Sequence, residues 1–126
     1  MNSNDNINQN DLVERTFQFA VAVIQLIKEI QYSKENDVIK TQLAKSATSI
    51  GANYEEAQGA FSKDDFKYKI CICFKEAKET NYWLRLLKAT GIANGKKVDD
   101  LVIESDELKR IFGSIMKKVH NRSDVK

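Results

Sequence analysis

The feature that most constrains the fold of this chain is the near absence of helix-breaking residues. Its 126 residues include no proline and only five glycines. Proline disrupts a helix interior because it lacks an N–H and clashes with the preceding turn, and glycine costs about 1 kcal/mol relative to alanine. The chain can therefore be helical almost throughout. Its 42% hydrophobic and 30% charged residues are the balance of a globular protein, and its length predicts one domain.

Apolar residues recur at helical spacing in four consecutive segments. The first runs from Asp11 to about Tyr32, and the second begins near Asn36. The third spans 63–90, and the fourth follows a short glycine-containing link at 91–97. In each segment apolar residues lie mostly three or four positions apart, the period of one helical face. Because short links place consecutive helices side by side, the sequence predicts an all-α fold, an antiparallel up-down-up-down four-helix bundle.

The expected domain organisation has three parts: a disordered lead-in at 1–10, the bundle at 11–121 and a polar tail at 122–126. The lead-in is polar and lacks a basic n-region, so no signal peptide is expected. The longest apolar run has six residues, from Phe19 to Ile24, against the roughly 18 that a membrane span needs. We therefore expect no membrane partner.

Two predicted helices carry more apolar surface than a lone bundle uses. The first helix has two adjacent apolar rows, one of Val13, Phe17, Ala20, Ile24 and Ile27, the other of Leu12, Phe19, Val23, Leu26 and Ile30. The third helix adds apolar residues on the side away from its core row: Tyr68, Ile72, Trp83 and Leu86. Each helix of a bundle needs only one apolar face, so we expect a homo-oligomer with this second set at its interface.

Small and helix-ending residues give local predictions. Gly51 lies inside the second predicted helix, which indicates that a neighbouring backbone approaches closely there. Gly59 and Gly91 are predicted to end the second and third helices, Gly59 in the left-handed conformation. Ser62, followed three residues later by Asp65, is predicted to cap the start of the third helix.

The residues needed for most catalytic or metal sites are missing. With His120 as the one histidine, neither a di-iron bundle site nor a zinc site has its ligand spacing. Cys71 and Cys73 lie two positions apart and cannot pair, so we expect packing residues in a reducing cytoplasm. No glycine-rich phosphate loop is present, and the adjacent carboxylate pairs lack a nucleophile or histidine partner. We expect a non-enzyme with no metal and no cofactor.

Basic residues cluster locally although the whole chain carries only +2. From Lys63 to Lys88 there are seven basic and four acidic side chains, a net of +3, and the two signs occupy different sectors of the predicted helix. Residues 109–126 carry six basic side chains and one acidic, a net of +5. The candidate contacts to nucleic acid are Lys67, Lys75, Lys78, Arg85, Lys117 and Lys118. The alternative is an ordinary solvated surface whose charges pair with one another.

A segment in the second predicted helix resembles a known family signature. Residues 45–60 read KSATSIGANYEEAQGA and resemble RSATSIGANIAEAQGA, the signature of a small four-helix-bundle family known from proteins encoded in 23S rRNA intervening sequences. The run from Ser62 to Leu84 is similar to the family pattern S..DF..K…KEA.ET.YWL, and the likeness extends over about 17–119. The motif positions singled out are Lys45, Ser46, Ser49, Gly51, Asn53 and Gly59.

This resemblance implies a bacterial protein with a left-handed antiparallel bundle that assembles into ring-like homopentamers. A related branch, the accessory proteins of diversity-generating retroelements, implies a basic barrel that binds a reverse transcriptase and nucleic acid. We interpret the motif itself as structural, with small residues permitting tight helix contact and Asn53 bonding within the interface. A ligand contact by Lys45 and Asn53 is the alternative.

The leading hypothesis is a homo-oligomeric, non-enzymatic binding module, with RNA or a nucleic-acid-processing protein as its partner. The alternative is a structural oligomer or protein–protein adaptor that makes no contact with nucleic acid and uses the surface around Trp83.

Overall fold

The computed structural model describes residues 9–124 and the side chains of residues 11–121. This part of the chain forms four long helices and no strand, which confirms the predicted all-α fold. The helices are α1 (Gln9–Glu29), α2 (Lys34–Gln58), α3 (Lys63–Ala89) and α4 (Lys96–Asp124).

The helix bounds differ from the predicted ones by a few residues. α1 begins two residues before Asp11, and α4 continues three residues past the predicted end of the bundle at 121. α2 begins at Lys34 because the side chain of Ser33 accepts from the N–H of Asn36. The remainder of the predicted lead-in, residues 1–8, lies outside the described part of the chain.

Residues that come early in one helix contact residues that come late in the neighbouring helix, as the predicted antiparallel topology requires. Between α2 and α3, Thr80 bonds Ser46 at 2.9 Å, and Lys69 bonds Glu56 at 2.6 Å. The remaining pairs of helices repeat this order through Lys67–His120, Asn81–Ser105, Lys88–Asp99, Arg15–Glu104 and Lys97–Glu29. Each helix packs against its two neighbours, and α1 and α3, like α2 and α4, lie diagonally opposite each other, with the Tyr54 and Phe112 rings meeting across the core at 5.5 Å.

One of the two apolar rows of α1 supplies its share of the core. Val23 and its row are buried, whereas Phe17 and Ile24 of the other row are 53% and 36% exposed. α3 contributes the apolar row of Phe66, Ile70, Cys73, Ala77, Leu84 and Leu87. All of these are buried except Phe66, which is partly buried. Fully enclosed side chains in the core include Leu43, Ile50, Ile70, Leu84, Leu108 and Phe112. α1 therefore leaves an apolar row on the surface beside α2.

Glycine and capping predictions have different outcomes. A Cβ on Gly51 would lie 3.1 Å from Thr16 Oγ1, which confirms the close approach of α1 and α2. Ser62 caps α3 through the N–H of Asp65, also as predicted. Gly91 has φ 76 just after α3, but the predicted left-handed stop at Gly59 is wrong. Gly59 has φ −103, and its N–H bonds Glu56 O and Ala57 O, so the last turn of α2 tightens without a left-handed residue.

Candidate nucleic-acid interface

Several basic side chains line the seam between α3 and α4. We define the α3–α4 groove by two rows. The α3 row is Lys67, Phe74, Lys78, Tyr82 and Arg85, and the α4 row is Arg110, Gly113, Lys117 and His120. Contacts at three levels join the rows. Lys67 Nζ lies 3.2 Å from His120 Nδ1, a Cβ on Gly113 would lie 3.1 Å from Phe74 Cε1, and Arg85 and Arg110 line one open cavity of about 430 Å³.

Arg85 is held in place by a buried amide. Its Nε donates to Asn81 Oδ1 at 2.9 Å, and the Asn81 amide donates to Ser105 Oγ at 3.0 Å and to Val102 O at 3.2 Å. Asn81 is 8% exposed, so this bond between α3 and α4 is largely shielded from water. Among the described residues Arg85 has no carboxylate at salt-bridge distance, and its side chain lines the cavity.

Lys78 and Arg85 each lie over an aromatic ring of the same helix. Lys78 Nζ is 5.9 Å from the centre of the Phe74 ring, and Arg85 Cζ is 6.0 Å from the centre of the Tyr82 ring. Cations within about 6 Å of a ring face are attracted by its negative face. The charged groups of Lys78 and Arg85 therefore stay at the surface, each held over a ring of its own helix.

The carboxylates of the groove lie at its end near Arg85. Asp106 Oδ2 bonds Arg110 at 3.0 Å, and its Oδ1 bonds Lys109 at 3.2 Å. Glu107 accepts from Arg15 on the far side of α4 at 2.7 Å. Lys67, Lys78 and Lys117 therefore extend into a part of the groove beyond these acidic side chains.

One acidic residue of α3, Glu76, lies toward α2. Glu76 faces Lys45 of α2 and lies one turn from Glu79. Partial burial, reinforced by the Glu79 charge, raises the pKa of Glu76 above its ordinary value. The α2 side of α3 therefore carries both signs, Glu76 near Lys45 and Lys69 paired with Glu56.

Four of the six predicted nucleic-acid contacts come together in the groove: Lys67, Lys78, Arg85 and Lys117. Lys75 is exposed at the outer edge of the α3 row, about 20° around the helix from Tyr82, and the described contacts do not join it to α4. Lys118 lies outside the groove, because a residue eleven positions after Glu107 returns to the same side of α4, the side that meets Arg15.

Sequence reasoning missed several participants of the groove. Arg110 was recognised as basic but not as a neighbour of Arg85, because no sequence pattern relates the register of α3 to that of α4. The aromatic partners were detectable, since Phe74 precedes Lys78 by four positions and Tyr82 precedes Arg85 by three.

The predicted oligomer interface on α3 is only partly open. Tyr68 is 63% exposed, whereas Ile72, Trp83 and Leu86 are half-buried. Trp83 packs against the core, and its Nε1 donates to Glu79 Oε2 at 3.1 Å. Tyr82 meets the Trp83 ring edge to face at 5.0 Å and is itself 49% exposed.

The signature motif of α2 is satisfied inside the bundle and along its own helix. Ser46 is buried and bonded to Thr80, and Gly51 admits Thr16. Asn53 donates to Ser49 O at 2.8 Å within α2, and Ser49 in turn donates to Lys45 O at 2.7 Å. The contacts of Asn53 are therefore local, and Lys45 remains exposed.

The cysteines do not form a reactive pair. Burial raises the pKa of the Cys73 thiol to about 12, and its Sγ donates to Ile50 O at 3.4 Å. Within the described residues no three His, Cys, Asp or Glu side chains group closely enough to hold a metal ion. None of the four helices has an apolar stretch long enough to cross a bilayer.

Fold and surface together define a small four-helix bundle with a buried small-residue seam and a basic groove. The model of the 23S rRNA-intervening sequence protein family matches residues 8–114, and the chain belongs to that family. This confirms the resemblance seen in residues 45–84. No protein of curated function matches the chain.

A solved structure supports both the fold and the family. It is a protein with unknown function from the S23 ribosomal protein family of Bacteroides thetaiotaomicron. The two chains are 36% identical and superpose with a TM-score of 0.77, over 84% of this chain and 98% of that one.

Proposed function

We propose that this protein is a non-enzymatic, homo-oligomeric bundle of the cytoplasm that binds nucleic acid through the α3–α4 groove. The observation that carries the proposal is the convergence of five cations on one seam: Lys67, Lys78, Arg85, Arg110 and Lys117. Asp106 pairs with Arg110, and Glu107 pairs with Arg15, so among the described residues Lys67, Lys78, Arg85 and Lys117 keep their charge without a carboxylate at salt-bridge distance. Phosphates complement such a surface, and each contact adds a salt-dependent increment of affinity.

Binding of labelled RNA, followed by fluorescence anisotropy at low salt, tests this proposal. Reversal of charge in the Lys67→Glu, Lys78→Glu, Arg85→Glu triple variant should abolish binding. A matched variant, Lys28→Glu, Lys34→Glu, Lys45→Glu, changes the net charge equally at exposed positions outside the groove and should retain most of the affinity. Equal loss in the two variants would show that only total charge matters, and absence of binding by the wild type would refute the proposal.

Self-association is supported by apolar side chains exposed on two sides of the bundle. Phe17 and Ile24 project from α1, and Tyr68 projects from α3. α1 and α3 lie diagonally opposite in the bundle. Their exposed apolar residues therefore form two separate faces, which the other helices of the same chain leave uncovered. A ring-like homopentamer, the assembly implied by the resemblance, would bury them against neighbouring copies.

Light scattering during size-exclusion chromatography measures this assembly. A homopentamer has five times the protomer mass of 14.4 kDa. Phe17→Glu should shift the protein toward the protomer mass, whereas Thr41→Glu, at an exposed polar position of α2, should not. A wild-type protein that runs at 14.4 kDa at micromolar concentration would exclude the oligomer.

A protein–protein adaptor is the second candidate, and exposed aromatic residues at one end of the bundle favour it. Phe61, in the turn between α2 and α3, is fully exposed, and Tyr68 lies nearby on the first turns of α3. Pull-down from a native extract distinguishes the candidates. Nuclease treatment releases partners held by nucleic acid, whereas partners that are lost only with Phe61→Ser support the adaptor.

A further inference from the structure

Each cation of the α3 row has an aromatic ring beside it. Lys67 meets the His120 ring at 3.2 Å, Lys78 lies over Phe74, and Arg85 lies over Tyr82. The cations follow one another at intervals of eleven and seven residues, about 16 and 10 Å along the helix. Cationic groups and aromatic rings therefore alternate along the length of the α3–α4 groove.

Two of the flat surfaces are open to a ligand. Tyr82 is 49% exposed, and the Arg85 guanidinium is fixed by Asn81 at its Nε rather than by a carboxylate. A fixed guanidinium plane stacks on bases as aromatic rings do. Phe74 is half-buried against Gly113, so it supports Lys78 more than it offers a free face.

Single strands and duplexes differ in what they present to such a line. A single strand offers unstacked base faces together with its phosphates, and base–aromatic stacking adds to the electrostatic attraction. A duplex encloses its base faces, so rings beside the cations would add little to phosphate contacts. The alternation of rings and cations therefore fits the single strand.

We infer that the α3–α4 groove binds single-stranded nucleic acid, with phosphates on its cations and a base stacked at Tyr82 and Arg85. This inference rests on the proposed nucleic-acid function and adds the form of the ligand. It also assigns a binding role to Tyr82, which is uncharged and was not among the predicted nucleic-acid contacts.

Anisotropy with a labelled 15-nucleotide single-stranded RNA and a duplex of the same sequence tests the inference. The wild type should bind the single strand at least tenfold more tightly at equal salt. Tyr82→Leu keeps every cation and should weaken single-strand binding about 5- to 150-fold, the usual range for loss of one stacked base. Its duplex affinity should stay unchanged. Tyr82→Phe, which keeps the ring, should restore single-strand binding.

Tyr32→Leu is the matched control, because Tyr32 is a 74% exposed tyrosine in the turn between α1 and α2, outside the α3–α4 groove. It should bind both ligands as the wild type does. The single tryptophan, Trp83, lies 5.0 Å from the Tyr82 ring and provides a second readout, since its fluorescence should change on binding the single strand but not the duplex.

The outcomes separate this inference from the proposed function. Equal affinity for single strand and duplex, or no effect of Tyr82→Leu, overturns the inference and leaves the basic groove as a phosphate-binding surface. Loss of binding in Tyr32→Leu equal to that in Tyr82→Leu also overturns it. Failure of the wild type to bind either ligand overturns both proposals.

Discussion

Gly51 and Gly113 both lie inside helices, but their surroundings differ. Gly51 faces the backbone of a neighbouring helix, which we call a closed contact, and Gly113 faces only a side chain, which we call an open contact. A side chain on Gly51 would start 3.1 Å from Thr16 Oγ1 and 3.4 Å from the Thr16 carbonyl carbon, so the backbone of α1 blocks it. A side chain on Gly113 would meet only the Phe74 ring, which is half-buried and can move.

The contacts of α2 with α1 and α3 differ from the α3–α4 groove in the same way. On the closed side, α2 joins α1 and α3 through buried small and polar groups, among them Thr16, Ser46, Cys73 and Thr80. On the open side, the α3–α4 groove carries charged and aromatic side chains that reach water. Substitutions on the closed side should therefore change the free energy of unfolding, and those in the groove should change binding.

The largest expected effect distinguishes a buried isoleucine from an exposed one. Ile70→Ala removes a fully buried side chain and should lower the free energy of unfolding by about 2–5 kcal/mol, because it leaves a cavity. Ile103→Ala makes the same change at a 58% exposed position beside the groove and should cost less than about 0.5 kcal/mol. Urea unfolding followed by circular dichroism measures both, and equal losses would contradict the contrast.

A pH-dependent loss of stability should follow from the buried thiol. The pKa of Cys73, raised to about 12 by burial, keeps the proton on the folded protein while the unfolded chain releases it near its ordinary pKa. The unfolded state then binds fewer protons, so stability falls as pH rises, by about 1.4 kcal/mol per pH unit. At pH 10.5 the loss should be about 2 kcal/mol relative to pH 9.

Urea unfolding under reducing conditions from pH 8.5 to 10.5 isolates this effect. Cys73→Ala should flatten the pH profile, whereas Cys71→Ala, at a half-buried position two residues earlier, should keep it. Equal slopes in the wild type and in Cys73→Ala would show that other groups cause the loss.

The two glycines should respond to alanine in opposite directions. Gly51→Ala should destabilise the protein by about 1 kcal/mol, because overpacking against Thr16 exceeds the gain in helix propensity. Gly113→Ala should be neutral or stabilise by up to about 1 kcal/mol, because a small shift of Phe74 relieves the contact. Thermal unfolding compares the two, and a loss at Gly113 as large as at Gly51 would mean that the α3–α4 contact is equally rigid.

The smallest expected effect tests the buried hydroxyl pair of the closed side. Thr80 and Ser46 lie 2.9 Å apart, and Thr80 also donates to Glu76 O at 2.7 Å. Thr80→Val should cost about 1 kcal/mol because the Ser46 oxygen loses its buried donor, while Ser46 still donates to Leu43 O. The Ser46→Ala, Thr80→Val double variant should cost less than the two single losses combined, and strict additivity would show that the hydroxyls are not coupled.

Much of the fold could be predicted from the sequence because helical periodicity is a local property. The four helices, the cap at Ser62 and the close approach at Gly51 all depend on residues near one another in the chain. The stop at Gly59 was predicted wrongly because other turns can also end a helix. Of the four predicted contacts on α3, Lys67, Lys78 and Arg85 line the α3–α4 groove and Lys75 does not. Of the two on α4 only Lys117 lines it, because the adjacent Lys117 and Lys118 point to different sides.

The sequence by itself determined the helices, their order around the bundle and the family, because a chain with no proline and so regular an apolar period has few other ways to bury its side chains. Tertiary structure alone decided which of the two apolar rows of α1 enters the core and which cations of α3 and α4 face one another. Those outcomes depend on the register and rotation of one helix against the next, which arise from side-chain packing between segments far apart in the chain.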